Sequence, residues 1–581
     1  MCGVAGIIRF DKQKVTQNCL KKMTDSILHR GPDGEGFWIN EGENIGLGHR
    51  RLAIIDLSDS AAQPMVCKKT GNVIVFNGEI YNYIELKNEL KLKGYSFYTN
   101  SDTEVLLALY DYKKEDCLAD LNGMFAFAIW NKSEQKLFCA RDRFGEKPFY
   151  YYFDNNVFVF GSEMKALWSY GIKKEINQDV LINFVKNGVI KYTNGVGLYK
   201  YIKSLPPSSY LTIDFNQRKI LIKNYYSVND KNINNKINFD EACSIFLNYL
   251  TNSVKIRLRS DVQVGSSLSG GLDSSSIVAI IQLLKSNDKS HSFSARFKNF
   301  VKDEGPYIER VTRQYPSLVA HYVWPDENMM LDEMKKLVYH QEEPFASSSI
   351  YAQWCVMKLA KEHGVTVLLD GQGADEILGG YLSCIKIYLY ELIFKNYFMY
   401  KKELKLYNSN QPPYAQIPSY EDSESLRMKL GRWKIMLTQD RKKVPYSFNG
   451  YLKQITTSEE DLQTLLRYAD RNSMAFSREI RLPFLDHKLV DFTFTLPTNF
   501  KFKIGFSKYI LRKVISSYLP PEVVWRPEKV GYEPPQEHWL NKTEINNIIN
   551  KQAKYFGIEE IKDYTYSNST SWRLFLSHYY M

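Results

Sequence analysis

Residues 264–277 read VGSSLSGGLDSSSI, a glycine- and serine-rich loop set between an apolar strand pattern and an apolar helix pattern. Val262, Val264 and Leu268 supply the strand positions, and Ile277, Val278, Ile280, Ile281, Leu283 and Leu284 supply one face of the following helix. The loop therefore meets a helix N-terminus, where unpaired backbone N–H groups and the helix dipole favour an anion. Gly270 and Gly271 let the backbone close on that anion, and Ser269, Ser274 and Ser275 add hydroxyl donors. Phosphate is the natural guest. The stretch is not a Walker loop, which needs a lysine after its last glycine, because Leu272 and Asp273 stand there instead. Asp273 repels phosphate unless a cation lies between them, and a magnesium ion bridging Asp273 and a pyrophosphate resolves the conflict.

The SGGLDSS pattern resembles the pyrophosphate loop of the ATP pyrophosphatases, which cleave ATP between its α and β phosphates and adenylate a substrate. The resemblance implies ATP contacts at Leu268, Ser269, Gly270, Gly271, Asp273 and Ser274, and adenine against the backbone of Ala295 in the apparent second strand, HSFSARF, at 291–297. Farther on, a helix pattern at 350–363 ends at Gly364, and a strand pattern at 365–369 runs into DGQGADEILGGY at 370–381. In an open parallel sheet, ligands bind beyond the carboxyl ends of the strands, so the two loops converge on one nucleotide. Asp370 and Gly371 are then further ATP contacts, and Asp375 is the second magnesium ligand opposite Asp273. The stretches at 471–492 and 506–520 also resemble the asparagine synthetase domain. Lys508 within them is a cation suited to the departing pyrophosphate, while Arg478, Glu479 and Arg481 read as charges holding a turn.

The chain opens with Cys2, Gly3 and a strand pattern at 4–8. If the initiating methionine is trimmed, Cys2 carries a thiol and an α-amino group, a nucleophile and a base on one residue. HRGPDGEG at 29–36, GHRRLAIID at 48–56, NGEIYN at 77–82 and SDTE at 101–104 each place polar groups beside a strand pattern. With Cys2 they resemble the glutaminase domain of class II glutamine amidotransferases, an N-terminal-nucleophile fold of two packed sheets flanked by helices. The resemblance gives Cys2 the attack on the glutamine carboxamide, and Asn77 and Gly78 the oxyanion hole. It gives Arg51 the substrate α-carboxylate, and Asp102 with Glu79 the α-ammonium. Arg51 is preferred to Arg50 because it directly precedes the strand expected at Leu52.

The resulting fold class is α/β and α+β in two domains, an αββα N-terminal-nucleophile sandwich followed by a parallel-sheet, adenine nucleotide α hydrolase-like domain. A strand pattern near 220–226 and a polar, Asn-rich stretch at 227–240 separate them. We place the domains at 2–215 and 239–581, with 216–238 as linker. A length of 581 residues suits two domains, and 44% apolar with 24% charged residues is a globular composition. The net charge of +11 is spread without a dense basic stripe, so no nucleic-acid partner is expected. Eight cysteines without a CxxC pair indicate neither zinc site nor disulfide framework. No secretory signal and no apolar run of membrane length is found, which points to the cytoplasm. A homodimer is left open. The segment at 386–441 carries no readable motif.

Together the two halves resemble the glutamine-hydrolysing asparagine synthetases. The family reaction joins ATP, aspartate and glutamine through β-aspartyl-AMP and ammonia crossing between domains. Many members carry glutamate in the second loop where this chain has Gln372, a possible acceptor-site residue that cannot act as a base. Two alternatives remain: an amidotransferase of the same build acting on another carboxylate, and a non-catalytic nucleotide sensor.

Overall fold

The computed structural model describes residues 2–285, 288–419, 447–527, 531–558 and 568–581. Its N-terminal half holds two six-stranded antiparallel sheets. In the first, Gly3–Arg9 lies centrally between Ile45–Arg51 and Val157–Gly161. In the second, Val73–Ile80 pairs with Gly123–Asn131, which pairs with Lys136–Arg141. Strand periodicity explains the layering. Along Gly123–Asn131, Ala126, Ala128 and Trp130 point into the core between the sheets with Val4, Ile8 and Phe160, whereas Phe125, Phe127 and Ile129 pack beneath Val105, Leu106 and Leu109 of the helix Asp102–Lys113. Both faces are covered, so this strand is apolar throughout. The helix Gln17–Asp25 covers the other sheet through Leu20 and Met23.

Two sequence expectations shift here. The strand beside Arg51 precedes it: Ile45–Arg51 ends at the arginine, and residues 52–58 form no strand. Asn77, Gly78 and Glu79 lie within the strand Val73–Ile80 rather than after it. The sheet also continues past 215, because Lys219–Asn224 pairs in register with Ser209–Asp214 inside the stretch assigned to the linker. The next helix, Phe239–Arg257, is capped by the Asn238 side chain, which accepts from Glu241 N at 2.8 Å.

The C-terminal half is built on a five-stranded parallel sheet in the order Leu318–Val323, Ser290–Ala295, Val264–Ser267, Val367–Leu369, Glu479–Arg481. Val264–Ser267 feeds through residues 268–271 into the helix Leu272–Leu284, whose Ile277, Val278, Ile280 and Ile281 are buried. Leu283 and Leu284, expected on that buried face, are exposed at its end. Val262 and Leu268 fall just outside the strand. Arg478, Glu479 and Arg481 do not flank a turn: the latter two belong to the fifth strand, fully buried. The unread segment contributes the helices Leu382–Lys395 and Tyr397–Asn410, and its residues 420–441 lie outside the described ones.

The halves meet through buried charge. Arg30 donates to Asp470 at 2.8 and 3.0 Å, Arg471 pairs with Glu163 at 3.2 Å, and Asn122 donates to Asp486 at 2.8 Å. Buried ions left without partners are costly, so these pairs fix the register of the two halves more than they add stability.

Candidate active sites

Cys2 directly precedes Gly3–Arg9, the central strand of the first sheet, and is buried. Its backbone N donates to Asn77 Oδ1 at 3.0 Å, and its carbonyl accepts from Arg30 Nε at 3.1 Å. The first contact settles the orientation of the Asn77 amide: with Oδ1 used, Nδ2 faces the other way, buried and without a hydrogen-bond partner. An unpaired buried donor is costly, and Asn77 itself does not line the pocket that its neighbours Cys2 and Gly78 share. Burial pushes the Cys2 thiol up, opposed by nearby positive charge that includes Arg51.

Cys2, Arg51, Gly78, Glu79 and Asp102 line one small pocket with Gln63 and Thr103. Arg51 donates to the carbonyls of Ser58 (2.8 Å) and Asp56, whereas Arg50 is tied to Asp25 and Glu35 away from the pocket. Asp102 accepts from Ile80 N at 2.9 Å, and burial pushes its carboxyl up to about 6. Glu79 is held well above the usual carboxylate range by burial and by the charge of Asp102. Arg481, from the far half, reaches Glu79 at 3.3 Å and also donates to Glu479 at 2.6 Å. Arg481 was not identifiable as a neighbour of the thiol pocket, since it owes that position to packing between halves, and the contact of Arg30 with Cys2 joins two stretches of the first half that no periodicity links.

The second site is a cleft of about 570 Å³ at the carboxyl ends of the parallel strands. Leu268, Ser269, Gly271, Asp273, Ser274, Asp370, Gly371, Gln372, Asp375 and Lys508 line it. Gly270 sits in the loop at φ +82°, a conformation suited to glycine. The Ser274 hydroxyl lies 3.1 Å from Ser269 N and 3.0 Å from Ser269 Oγ, which pins the loop's mouth. Asp273 falls in the first turn of Leu272–Leu284, and Asp375 in the first turn of Ala374–Leu378. Burial raises the Asp370 carboxyl, and Asp370 Oδ1 accepts from Gln372 N at 3.1 Å. Gln372 Oε1 is buried without a hydrogen-bond partner.

Ala295 lies at the cleft's edge, where its N–H donates to the Tyr532 hydroxyl at 3.1 Å. Tyr532 was missed, as was the pair Glu304 and Arg526 at 2.7 Å, although both line the cleft. Burial pushes Glu304 up to about 7 against the pull of Arg526. The glycine pair after Leu378 carried an unread signal: a Cβ on Gly380 would come within 1.7 Å of Asp375 Oδ1.

Among the described residues no group of three or more His, Cys, Asp or Glu side chains is arranged to hold a metal. Asp273 and Asp375 converge on one point, marked by Lys508 Nζ at 2.6 Å from each. Two carboxylates suit Mg2+, which takes its other ligands from phosphates and water.

Comparison with known proteins gives two family matches: a glutamine amidotransferase domain over residues 1–226 and asparagine synthase over residues 246–564. The glutamine-hydrolysing asparagine synthetase 1 of Bacillus subtilis is 34% identical, with 94% of this chain and 89% of that protein covered. A putative glutamine-hydrolysing asparagine synthetase 2 of Methanocaldococcus jannaschii is 38% identical over 68% of this chain and 78% of its own. The amidase chry2 of Gibberella zeae is 27% identical over 95% and 92%.

Proposed function

We propose a chemistry for the two sites from one premise: the chain belongs to the asparagine synthase family. It is an ATP-dependent, glutamine-hydrolysing carbon–nitrogen ligase that makes asparagine. The overall conversion is ATP, aspartate, glutamine and water to AMP, pyrophosphate, asparagine and glutamate.

In the first site Cys2 Sγ attacks the glutamine carboxamide, and the oxyanion that forms is held by Asn77 Nδ2 and Gly78 N–H. The observation that carries this half is the buried Asn77 donor, oriented by Cys2 itself. Losing one such donor typically costs about 100- to 1000-fold in rate. Arg51 binds the α-carboxylate of glutamine, and Asp102 with Glu79 binds its α-ammonium. Collapse of the tetrahedral adduct expels ammonia and leaves a glutamyl thioester, which water hydrolyses.

In the second site the loop from Ser269 to Ser274 cradles the ATP phosphates, with Leu268, Ala295, Asp370 and Gly371 around the nucleoside. Asp273 and Asp375 would hold Mg2+, which would supply positive charge against the phosphates. An aspartate carboxylate oxygen attacks the α-phosphorus, giving β-aspartyl-AMP, and Lys508 offsets charge on the departing pyrophosphate. Ammonia travels uncharged from Cys2, since ammonium has no lone pair, and displaces AMP.

We assign the reaction to the cytoplasm and to small-molecule substrates without nucleic acid, and leave a homodimer open. Eight free thiols suit a reducing compartment, and no helix among the described residues is long and apolar enough to cross a membrane. The test is product analysis with labelled aspartate. Asparagine, AMP and pyrophosphate should form in equal amounts, and ADP with phosphate would defeat the adenylation step. The carboxamide of Gln372, which cannot balance the ammonium of aspartate as a carboxylate would, leads to a second reading, in which the acceptor is another carboxylate. A screen of acceptors by pyrophosphate release separates the two.

A further inference from the structure

Lys508 lies between the two carboxylates assigned above to Mg2+. Its Nζ donates to Asp273 Oδ1 at 2.8 Å and Oδ2 at 2.6 Å, and stands 2.6 Å from Asp375 Oδ1. The placement is tightly determined. Lys508 adopts the left-handed backbone region at φ 53°, uncommon outside glycine and asparagine, and caps the helix Tyr509–Ile515. Its stem passes Gly380 so closely that a Cβ there would fall 2.2 Å from Lys508 Cε.

We propose that Lys508 holds the place of the metal, excluding a free divalent ion until nucleotide phosphates draw the ammonium aside. A cation bound at about 2.0–2.1 Å from both carboxylates, the usual distance for magnesium, would crowd an ammonium already within hydrogen-bonding distance of both. The two positive charges would repel at that distance. A polyphosphate supplies the ammonium with a new anionic partner, so the same movement that frees the carboxylates brings Lys508 to the pyrophosphate. The metal therefore enters with the nucleotide, and ATP-free enzyme keeps its carboxylates paired. This inference rests on the assignment of Asp273 and Asp375 to the metal.

The test is Mn2+ binding by the full chain, followed through water-proton relaxation, with and without α,β-methylene-ATP. Wild type should take up Mn2+ only with the nucleotide. Lys508→Met should bind Mn2+ without nucleotide at least about tenfold more tightly than wild type, because a like charge has left the position. Adding Asp375→Asn should remove that gain, and Lys508→Arg should keep wild-type exclusion. Equal nucleotide-free binding by wild type and Lys508→Met overturns the inference. So does a Lys508→Met protein that melts cooperatively yet gains no metal, provided wild type with nucleotide binds Mn2+ in a manner dependent on Asp273. Should Asp273→Asn leave nucleotide-dependent binding unchanged, it is the metal assignment itself that fails, and the inference falls with it.

Discussion

The thiol pocket is made largely from strands, whereas the nucleotide cleft is made from the loops and helix starts beyond strand ends. Cys2 directly precedes one central strand, and Asn77, Gly78 and Glu79 lie inside another, paired along one side with Gly123–Asn131. Asp273, Asp370 and Asp375 sit in loops or first helical turns, and their convergence depends on how far each loop reaches. The free space differs accordingly, about 30 Å³ in the first against about 570 Å³ in the second. A strand-built site is formed before substrate arrives, which suits an oxyanion hole whose worth lies in donors that need not move. A loop-built cleft can re-partner, which suits a site that handles a large anion, a metal and then ammonia in turn.

The sharpest way to break this comparison is to disable one site and ask whether the other notices. Cys2→Ala should abolish glutamine-dependent asparagine formation while synthesis from added ammonium salts persists, since the thiol serves amide hydrolysis alone. Equal loss of both activities would mean that the two sites are not separable. The reciprocal change, Asp273→Asn, should lower pyrophosphate release by about 100-fold or more by removing a metal-directed charge, while Cys2 still hydrolyses glutamine. Wild-type pyrophosphate release would remove Asp273 from the chemistry.

The same contrast explains what could be read in advance. The strand, loop and helix around Gly270 were legible because a strand pattern, two glycines, an aspartate and a helix pattern stand within 14 consecutive residues, and the anion site proposed there needs only the local chemistry of a helix start. The parallel sheet was legible from apolar runs. The exact strand limits around Arg51 and Asn77 were not, because polar residues at the end of a buried strand look like loop until their neighbours cover them. Arg30, Arg481, Tyr532 and Gly380 were invisible as site neighbours for a different reason. Arg30 reaches Asp470, and Arg481 reaches Glu79, across hundreds of positions in sequence. No periodicity encodes such a contact.

A smaller effect separates the sites by pH. Asp102 has a carboxyl raised to about 6 by burial, whereas an exposed aspartate titrates near 4. As pH falls through about 6, Asp102 takes a proton, and the pocket loses an anion facing the ammonium of glutamine. The KM for glutamine in the hydrolysis assay should therefore rise by up to about tenfold per pH unit below that point, with kcat changing less. Because the folded form holds this proton more tightly than the unfolded chain, the same group makes stability fall, not rise, as pH climbs from about 4 to 6. Asp102→Asn should remove both inflections. A KM that is flat between pH 5 and 7, approximately the window set by the raised carboxyl, would show that Asp102 does not bind the substrate.

The smallest effect expected is at Gln372, a carboxamide where the resemblance implies a glutamate. Its Oε1 is buried beside the cleft without a hydrogen-bond partner, and its backbone N–H is already held by Asp370 at 3.1 Å. Gln372→Glu keeps the shape of the side chain and adds a charge. With aspartate as acceptor, that charge has a ready counterpart in the substrate ammonium, and pyrophosphate release should stay within about tenfold of wild type, the scale of a modest ion pair. If the pocket is instead shaped for a neutral amide facing another acid, the new carboxylate is desolvated next to an anion, a penalty of several kcal/mol when unpaired. The native reaction would then collapse in the variant. The measurement is pyrophosphate release at saturating aspartate in both proteins. Robust release in both keeps aspartate as the acceptor, whereas silence in wild type with glutamine hydrolysis intact would transfer the chemistry to a different carboxylate.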